Sequence, residues 1–526
     1  MSPDGELPIV IHPPLQGEIP DAEAPAPARV HMKTRSVGRR ADDYTRSSDG
    51  AEPSPAPPEL ASADPKRAFA LDALRGLFLI SMTLGFSIGS DHLPLWMYHR
   101  QFPPPGDAAV DVAGISWRDL AYGAFLFTMA AALPLTFSRR VDKGETEIAI
   151  VLAAFKRYAM LLVYALLVAH SNTFFTGYTQ ITRLIALLGF VVMALVFTRR
   201  RRDWDARRYT IANRAGWVLA IAFLALTPLL YGRTFTFTRI DDIIAGLAFA
   251  SLAGIVIWYF TRDNLPARFA VLALAVAAYL GAKGEGWLST WWWDWPASWA
   301  FEASRFTLLT VVIPGTIAGD LLLRWMREAR LSDDESPAWT NLRSWTITLI
   351  SVAVPPIVVV GLYNRHVALT VQLVLGLIVA GLFATHGPRT PLERLLRSLF
   401  VWSSLWLVLG LLLEPFEGGI KKVPDTLSYY FTVTGVTMML LVALTTVIDS
   451  LRHRRWVNTL IDVGHNPLLA YVLYTVLINS VLELIPPLRG VLTGSPGESL
   501  VRSALSVLGV VLIVRAMSRR RIYWRT

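Results

Sequence analysis

Runs of predominantly apolar residues recur along most of this chain, and they constrain its fold more than any other feature. Each run holds about 16–22 residues, which is enough for an α-helix to cross the hydrocarbon core of a bilayer. A transmembrane barrel would need alternating strands of about ten residues, and that pattern is missing. The chain is 53% hydrophobic and only 17% charged, far from the composition of a soluble domain. The sequence therefore predicts an all-α, polytopic integral membrane protein.

The apolar runs predict about fourteen transmembrane helices, with roughly eleven as the lower bound. The sequence shows no internal repeat of the kind that marks the paired halves of many transporters. The predicted spans are 68–88, 119–138, 149–170, 180–198, 213–231, 240–260, 267–283, 305–324, 343–362, 367–385, 396–414, 429–448, 466–484 and 502–517.

Basic residues are concentrated in alternate loops between these spans. Counted to the span edges, one set of segments carries about 29 Lys or Arg and the other about 11, and the richer set is expected on the cytoplasmic side. Both termini are then cytoplasmic. The net charge of +10 is explained by this topology and by contact with anionic lipids, so we expect a bilayer as partner and no nucleic acid.

Residues 1–65 are rich in Pro, Ala, Asp, Glu and Ser and lack helical periodicity. Such a segment buries too little apolar surface to fold by itself, so it predicts a disordered cytoplasmic tail. Residues 66–526 then form a single transmembrane domain. The chain has no cysteine, which excludes disulfides and thiol nucleophiles. No motif predicts a metal site or a permanently bound cofactor.

Three residues with useful chemistry fall at the predicted outer face. His99 follows the first span, and histidine exchanges a proton near neutral pH. Asp119 opens the second span, and Arg183 lies in the outer third of the fourth, where an arginine must snorkel, pair or line a cavity. A base, an orienting carboxylate and a cation suit acyl transfer. The alternatives are a loop histidine without a role, a helix N-cap and a membrane anchor.

A second candidate set lies at the predicted inner face. Asp72 and Arg75 are three residues apart and share one face of the first helix, and charges at this depth need a partner or a function. Asn466 precedes Pro467 at the start of the thirteenth span. The alternative to a binding role is a structural ion pair for Asp72 and Arg75 and an N-cap for Asn466.

Two outer loops offer candidate substrate contacts. Lys421 and Lys422 are adjacent on a predicted outer loop, against the positive-inside bias. They indicate an anionic partner, with a solvated loop as the alternative. The outer loop 284–304 is rich in tryptophan. Its Trp292 and Trp295 form either a stacking surface for a sugar ring or part of an interfacial aromatic belt.

Several of these residues occur in the order of a known family. The blocks are Leu71-Asp72-x-x-Arg75-Gly76, then His99, Gly114-Ile115-x-x-x-Asp119-Leu120, Pro134-Leu135, Gln180 to Arg183, Lys421-Lys422 through Leu427-Ser428-Tyr429, and Gly464-His465-Asn466-Pro467-Leu468. Over roughly residues 66–480 the chain resembles the heparan-α-glucosaminide N-acetyltransferase-like membrane proteins and their bacterial relatives of unknown acceptor.

The resemblance implies acyl transfer across the membrane. A cytosolic acyl-CoA, with acetyl-CoA as the expected case, is the donor, and an extracytoplasmic glycan amine or hydroxyl is the acceptor. His99 takes the place of the family's catalytic histidine if the stretch after Phe102 is a loop insertion. A bacterial inner membrane is the expected location. The expected donor contacts are Asp72, Arg75 and Asn466, and the expected acceptor contacts are Lys421, Lys422, Trp292 and Trp295.

Two other functions stay open at this point. A membrane transporter or lipid-linked glycan flippase would need charged residues near the middle of the membrane and an inverted repeat. A catalytically inactive member of the same family would keep the fold and acyl-CoA binding without turnover. A homodimer is compatible with the sequence, which specifies neither the acyl group nor the acceptor.

Overall fold

The architecture comes from a computed structural model. It describes residues 68–88, 93–104, 109–230, 235–293, 295, 300–331, 338–488, 491 and 495–526, without the side chains of residues 227, 330 and 331. Residues 1–65, for which the sequence predicts a disordered tail, lie outside the described residues.

The described residues form α-helices and short helical turns, with no strand among them. Two π-helical segments, Thr446–Ser450 and Leu473–Ile478, continue or interrupt the α-helices. The α-helices are α1 Phe69–Ser87, α2 Leu120–Asp142, α3 Glu147–Ser171, α4 Thr173–Thr176, α5 Gln180–Phe197, α6 Ala206–Leu230, α7 Asp242–Thr261, α8 Leu265–Ala282, α9 Trp287–Trp293, α10 Leu309–Leu331, α11 Asn341–Tyr363, α12 Val367–Ala384, α13 Pro391–Leu413, α14 Leu427–Thr445, α15 Asn458–Gly464, α16 Pro467–Val472, α17 Asn479–Leu484 and α18 Pro496–Arg519.

Fourteen helical segments of the described chain are long and apolar enough to cross a membrane. This confirms the predicted number and the all-α, polytopic fold, and the protein is a multi-pass integral membrane protein. The segments are α1, α2, α3, α5, α6, α7, α8, α10 with the turn before it, α11, α12, α13, α14 with its π-helical end, the α16–α17 segment and α18.

Several helices begin before the apolar run that predicted them. α13 begins at Pro391, whereas the run begins at 396, because Thr390 and Glu393 form a reciprocal capping box that stabilises a polar first turn. α18 begins at Pro496, whereas its run begins at 502, because Ser495 accepts a hydrogen bond from the Glu498 amide. Hydropathy detects the membrane-embedded part of a helix, and polar caps extend the helix beyond it.

The linker between α1 and α2 lies at one end of the bundle, which we call the His99 face. α1 ends there and α2 begins there, and the two helices run antiparallel, with the Arg75 guanidinium bonded to the Thr128 carbonyl. α18 also begins at this face, where Ser503 donates to the Ser87 carbonyl at 2.9 Å. The start of α1 and the end of α18 therefore share the opposite face.

α14 is the most enclosed of the crossing helices. With its π-helical end, it has 83% of its most apolar window buried inside the protein. It packs against α13, α11, α10 and α2. Because its first turn lies at the His99 face, it places Tyr429 against the end of the α1–α2 linker, at Asp119. A rigid central helix thus supports the polar residues at this end.

α1 and α15 are in direct backbone contact through two glycines. A Cβ at Gly76 would overlap the carbonyl oxygen of Leu460, and a Cβ at Gly464 would overlap the carbonyl oxygen of Asp72. Small residues allow membrane helices to approach this closely. The contact brings together two separate blocks of the sequence, the one around Asp72 and the one around His465.

We expect Gly464→Ala to destabilise the protein by about 1–3 kcal/mol, because the added methyl meets backbone that cannot rotate away. Thermal unfolding of the detergent-purified protein measures this. Gly376→Ala on α12 is the matched control, since a Cβ there meets no atom within 4 Å. Equal unfolding temperatures for the two variants would contradict the close contact between α1 and α15.

Candidate functional site

The α1–α2 linker holds His99 in a fixed turn. Phe102 donates from its amide to the His99 carbonyl at 3.1 Å. The buried Gln101 side chain donates to the carbonyls of Val112 and Gly114, both at 2.9 Å. The Gly114 amide in turn donates to the Ile420 carbonyl at 2.9 Å. These bonds tie the linker to itself and to the loop before α14, so the histidine is held in place by backbone on both sides.

His99 is bonded to Asp119. Its Nδ1 lies 2.6 Å from Asp119 Oδ1, and the carboxylate is fully buried while the imidazole is about a quarter exposed. Asp119 Oδ2 accepts from the Ser116 amide at 2.8 Å and the Ser116 hydroxyl at 3.0 Å. It also accepts from the Arg100 amide at 3.2 Å. The carboxylate is thus fixed from three sides and orients the ring.

Asp119 occupies the N-cap position of α2, as predicted, but its side chain makes no cap hydrogen bond to the helix. The carboxylate turns back toward Ser116 and His99 instead. The interpretation of this side chain as a helix N-cap is therefore wrong. The reason is local, since the Ser116 amide and hydroxyl offer two donors in the preceding turn.

The charge state of the pair follows from burial and from its neighbours. Burial and the positive charge of Lys422 lower the pKa of His99 to about 4, although the bond to Asp119 opposes this. For Asp119, burial is the largest single effect and acts to raise the pKa. The hydrogen bond from His99, the charges of His99 and Lys422 and the Ser116 amide together outweigh it, and the pKa falls to about 2. At neutral pH the carboxylate is therefore ionised, and the neutral imidazole donates Nδ1–H to it. The other nitrogen, Nε2, then carries a lone pair and can accept a proton.

The lysines of the loop before α14 have different partners. Lys421 forms an ion pair with Asp111 at 2.8 Å. The positive charge of Lys422 instead acts on His99 and Asp119, and burial lowers the pKa of its ammonium. The charge of Lys422 thus acts on the His99–Asp119 pair, whereas Lys421 is paired with Asp111. The sequence analysis predicted a cation near this pair and assigned that role to Arg183.

Arg183 is not that cation. Its Nη2 lies 3.4 Å from the Glu483 carboxylate, and its Nη1 donates to the Glu483 carbonyl at 3.3 Å. Glu483 also pairs with Arg502 at 2.7 Å. The prediction that Arg183 joins His99 and Asp119 is therefore wrong. An arginine at the start of α5 finds a closer carboxylate at the end of α17, a contact that sequence spacing cannot reveal.

Two tyrosines on α14 were missed as site residues. The Tyr429 hydroxyl donates to the Asp119 carbonyl at 2.7 Å, which ties the first turn of α14 to the start of α2. The Tyr430 hydroxyl donates to Asp425 at 2.9 Å. The Ser428-Tyr429 pair in the family-like block was the available signal, but only the packing of α14 against α2 shows what the tyrosine contacts.

Of the three residues expected to bind the donor, Asp72 and Arg75 contact each other. Arg75 lies 3.3 Å from Asp72, donates to the Gly464 carbonyl at 3.3 Å and to the Thr128 carbonyl at 3.2 Å. His465 Nε2 lies 3.2 Å from the other Asp72 oxygen, although its geometry does not make a hydrogen bond. Asp72 and Arg75 therefore form the ion pair that the sequence offered as an alternative to donor binding, and carbonyls engage the guanidinium further.

Asn466 is used differently from either prediction. Its side chain does not cap α16. Its amide nitrogen donates to the Ile522 carbonyl at 3.0 Å, and its amide oxygen accepts from the Trp524 amide at 3.0 Å. The predicted donor contact and the predicted cap are both wrong, because both ends of this amide bind the segment after α18.

The tryptophans after α8 pack on other rings. Trp292 is fully buried and contacts Phe306, so its prediction as a stacking surface for a sugar is wrong. Trp295 is partly buried and packs edge-on against Trp291 and Phe301. An acceptor contact at Trp295 stays a prediction. The large apolar area of these rings is used to fill the space beside α7 and α10.

No group of three or more potential metal ligands occurs among the described residues. The site is thus defined by a histidine bonded to a buried carboxylate, with the charge of Lys422 acting on both, at one end of an all-α membrane bundle. Residues 67–322 match the family model described as a domain of unknown function (DUF5009). That stretch includes His99 and Asp119 and ends before Lys422. No curated protein matches the chain.

Proposed function

We propose that this protein is a transmembrane acyltransferase that moves an acyl group, with acetyl as the expected case, from acyl-CoA to an amine or hydroxyl of an extracytoplasmic glycan. The observation that supports this most is the 2.6 Å contact between His99 Nδ1 and the buried Asp119 carboxylate. A buried carboxylate that fixes the tautomer of a partly exposed histidine is the arrangement that general-base and nucleophilic histidines require.

The proton moves through Nε2 of His99. The acceptor amine or hydroxyl attacks the thioester carbonyl, and Nε2 takes its proton as the new C–N or C–O bond forms. The C–S bond then breaks, and the imidazolium returns the proton to the leaving thiolate. Asp119 stays ionised and stabilises the imidazolium while it exists. An acyl-imidazole intermediate at Nε2 is the alternative route, and it predicts ping-pong kinetics.

Lys422 supplies the cation for the negative charge that develops on the carbonyl oxygen. Its charge already acts on both members of the pair. A preorganised positive group in a site with little water stabilises an oxyanion far better than the same group in solvent. This assigns to Lys422 the role that the sequence gave to Arg183, and it replaces simple acceptor binding as the function of that lysine.

The donor enters from the face opposite His99, which we take as cytoplasmic in the inner membrane of a bacterium. Arg75 lies ten residues before Gly85, a rise of about 15 Å along α1, and Gly85 packs against Arg118 next to Asp119. A donor bound near Arg75 must therefore extend over about 15 Å along α1 for its thioester to reach His99.

Acyl transfer by the protein in sealed vesicles tests the proposal. We expect labelled acetyl-CoA supplied on one side to acetylate glucosamine, used as a probe acceptor, on the other. Reporter fusions after Arg140 and after Pro104 should give opposite-side signals. Movement of the glycan without acyl transfer would favour a transporter, and same-side reporter signals would contradict the topology.

A further inference from the structure

Arg157 on α3 is a charged side chain without a protein partner in the part of the chain that the structure describes. Its Nε is buried and has no hydrogen-bond acceptor. Leaving a buried N–H of a guanidinium unpaired is costly, because the group loses its hydration and gains nothing in return. Such a group indicates either local strain or a ligand that supplies the missing negative charge.

The charges nearest Arg157 make the position more unfavourable still. Arg75 and Arg525 act on it with like charge. Asp72 is already shared by Arg75 at 3.3 Å and by His465 at 3.2 Å. Among the described residues Arg157 itself makes no ion pair, with Asp72 or with any other carboxylate, while the like charges of Arg75 and Arg525 act on it.

The segment after α18, residues 520–526, brings Arg525 to this place by specific bonds. The Arg525 amide donates to the Phe197 carbonyl at 2.9 Å, and the Arg199 amide donates to the Tyr523 carbonyl at 2.8 Å. The Trp524 ring is buried against Phe190. Asn466 then holds the backbone on both sides of Tyr523. Five contacts for so short a segment show that it is a packed part of the bundle.

We propose that Arg157 and Arg525, together with Arg75, form a binding site for a phosphate-bearing ligand, and that the segment after α18 is a structural part of this site. Guanidinium groups bind phosphate oxygens through paired, charge-assisted hydrogen bonds. Arg525 is exposed and Arg157 is deeper, so a ligand reaches the first before the second. If the proposed function holds, the ligand is the phosphate-bearing end of acyl-CoA. The phosphate of an anionic lipid has the same chemistry.

Titration of coenzyme A into the full-length protein tests the site, with the protein held in nanodiscs of phosphatidylcholine alone. We expect Arg157→Gln to weaken binding at least tenfold and Arg525→Gln to weaken it several-fold. Lys156→Gln and Arg520→Gln are the matched controls, since they remove the same charge from the same helix and the same segment, and they should bind normally. Arg525 is exposed, so its variant gives a result even if Arg157→Gln does not fold.

The outcomes separate this site from the proposed activity. Coenzyme A binding that needs Arg157 and Arg525 supports the site even if no acyl transfer is found. A second outcome is that the wild-type protein retains phosphatidylglycerol but does not bind coenzyme A, and that both variants lose the lipid. That outcome supports the site with a lipid phosphate as its ligand. The proposed phosphate site is wrong if both variants carry out acyl transfer with unchanged affinity for coenzyme A. It is also wrong if the wild-type protein binds neither coenzyme A nor phosphatidylglycerol.

Discussion

Replacing His99 with alanine should lower the turnover of acyl transfer at least about 100-fold, because a positioned base contributes that much or more to proton transfer. The protein should still insert into the membrane and bind acyl-CoA, since the imidazole is partly exposed and, among the described residues, its side chain bonds only to Asp119. Single-turnover acetyl transfer and coenzyme A titration on the same preparation measure the two effects separately.

His366→Ala is the matched control for this change. His366 is exposed and lies between α11 and α12 at the same face, where its side chain makes no cap hydrogen bond, so its loss should leave turnover unchanged. Asp119→Asn should cost less than His99→Ala, since it removes the orienting charge and keeps the base. Near-normal activity in His99→Ala would direct attention to His92, which lies outside the described residues, or to the region of Ala109.

Lys422→Met should lower turnover by about 10²–10³-fold, the usual cost of removing one group that stabilises an oxyanion. Methionine keeps the length of the side chain and removes its charge. Lys421→Met, next to it, is the control, because Lys421 is paired with Asp111 and should change turnover little. Similar losses for the two variants would mean that the loop acts through its fold and not through the Lys422 charge.

The same variant has a second readout in the pH profile. Activity needs His99 as the free base, so kcat/KM should fall as the pH drops through the His99 pKa of about 4. The Lys422 charge lowers this pKa, so Lys422→Met should move the acid limb to higher pH. Asp119→Asn removes a charge that raises the pKa and should move the limb to lower pH. Shifts of the same sign in both variants would contradict the electrostatic assignment.

The number of membrane-spanning helices was predictable because its determinants are local. Each helix of the described chain that crosses the membrane must satisfy its own backbone hydrogen bonds and expose apolar side chains to lipid, so a run of about twenty apolar residues is enough to identify it. The proximity of His99 and Asp119 was predictable for a similar reason, since both lie on the linker between two helices that are consecutive in the chain. Polar caps such as Thr390 and Ser495 explain why the helix ends were less accurate.

The sequence by itself therefore determined the all-α membrane fold, the number of spans and the carboxylate–histidine pair. The sequence grouped Arg183 with His99 and Asp119, and only the tertiary structure showed that Arg183 pairs with Glu483 while the charge of Lys422 acts on the pair. The tertiary structure also decided that Asn466 binds the backbone of residues 522 and 524 and that the charges of Arg75 and Arg525 act on Arg157. These contacts join segments dozens to hundreds of residues apart, and their partners are chosen by helix packing, which no local pattern encodes.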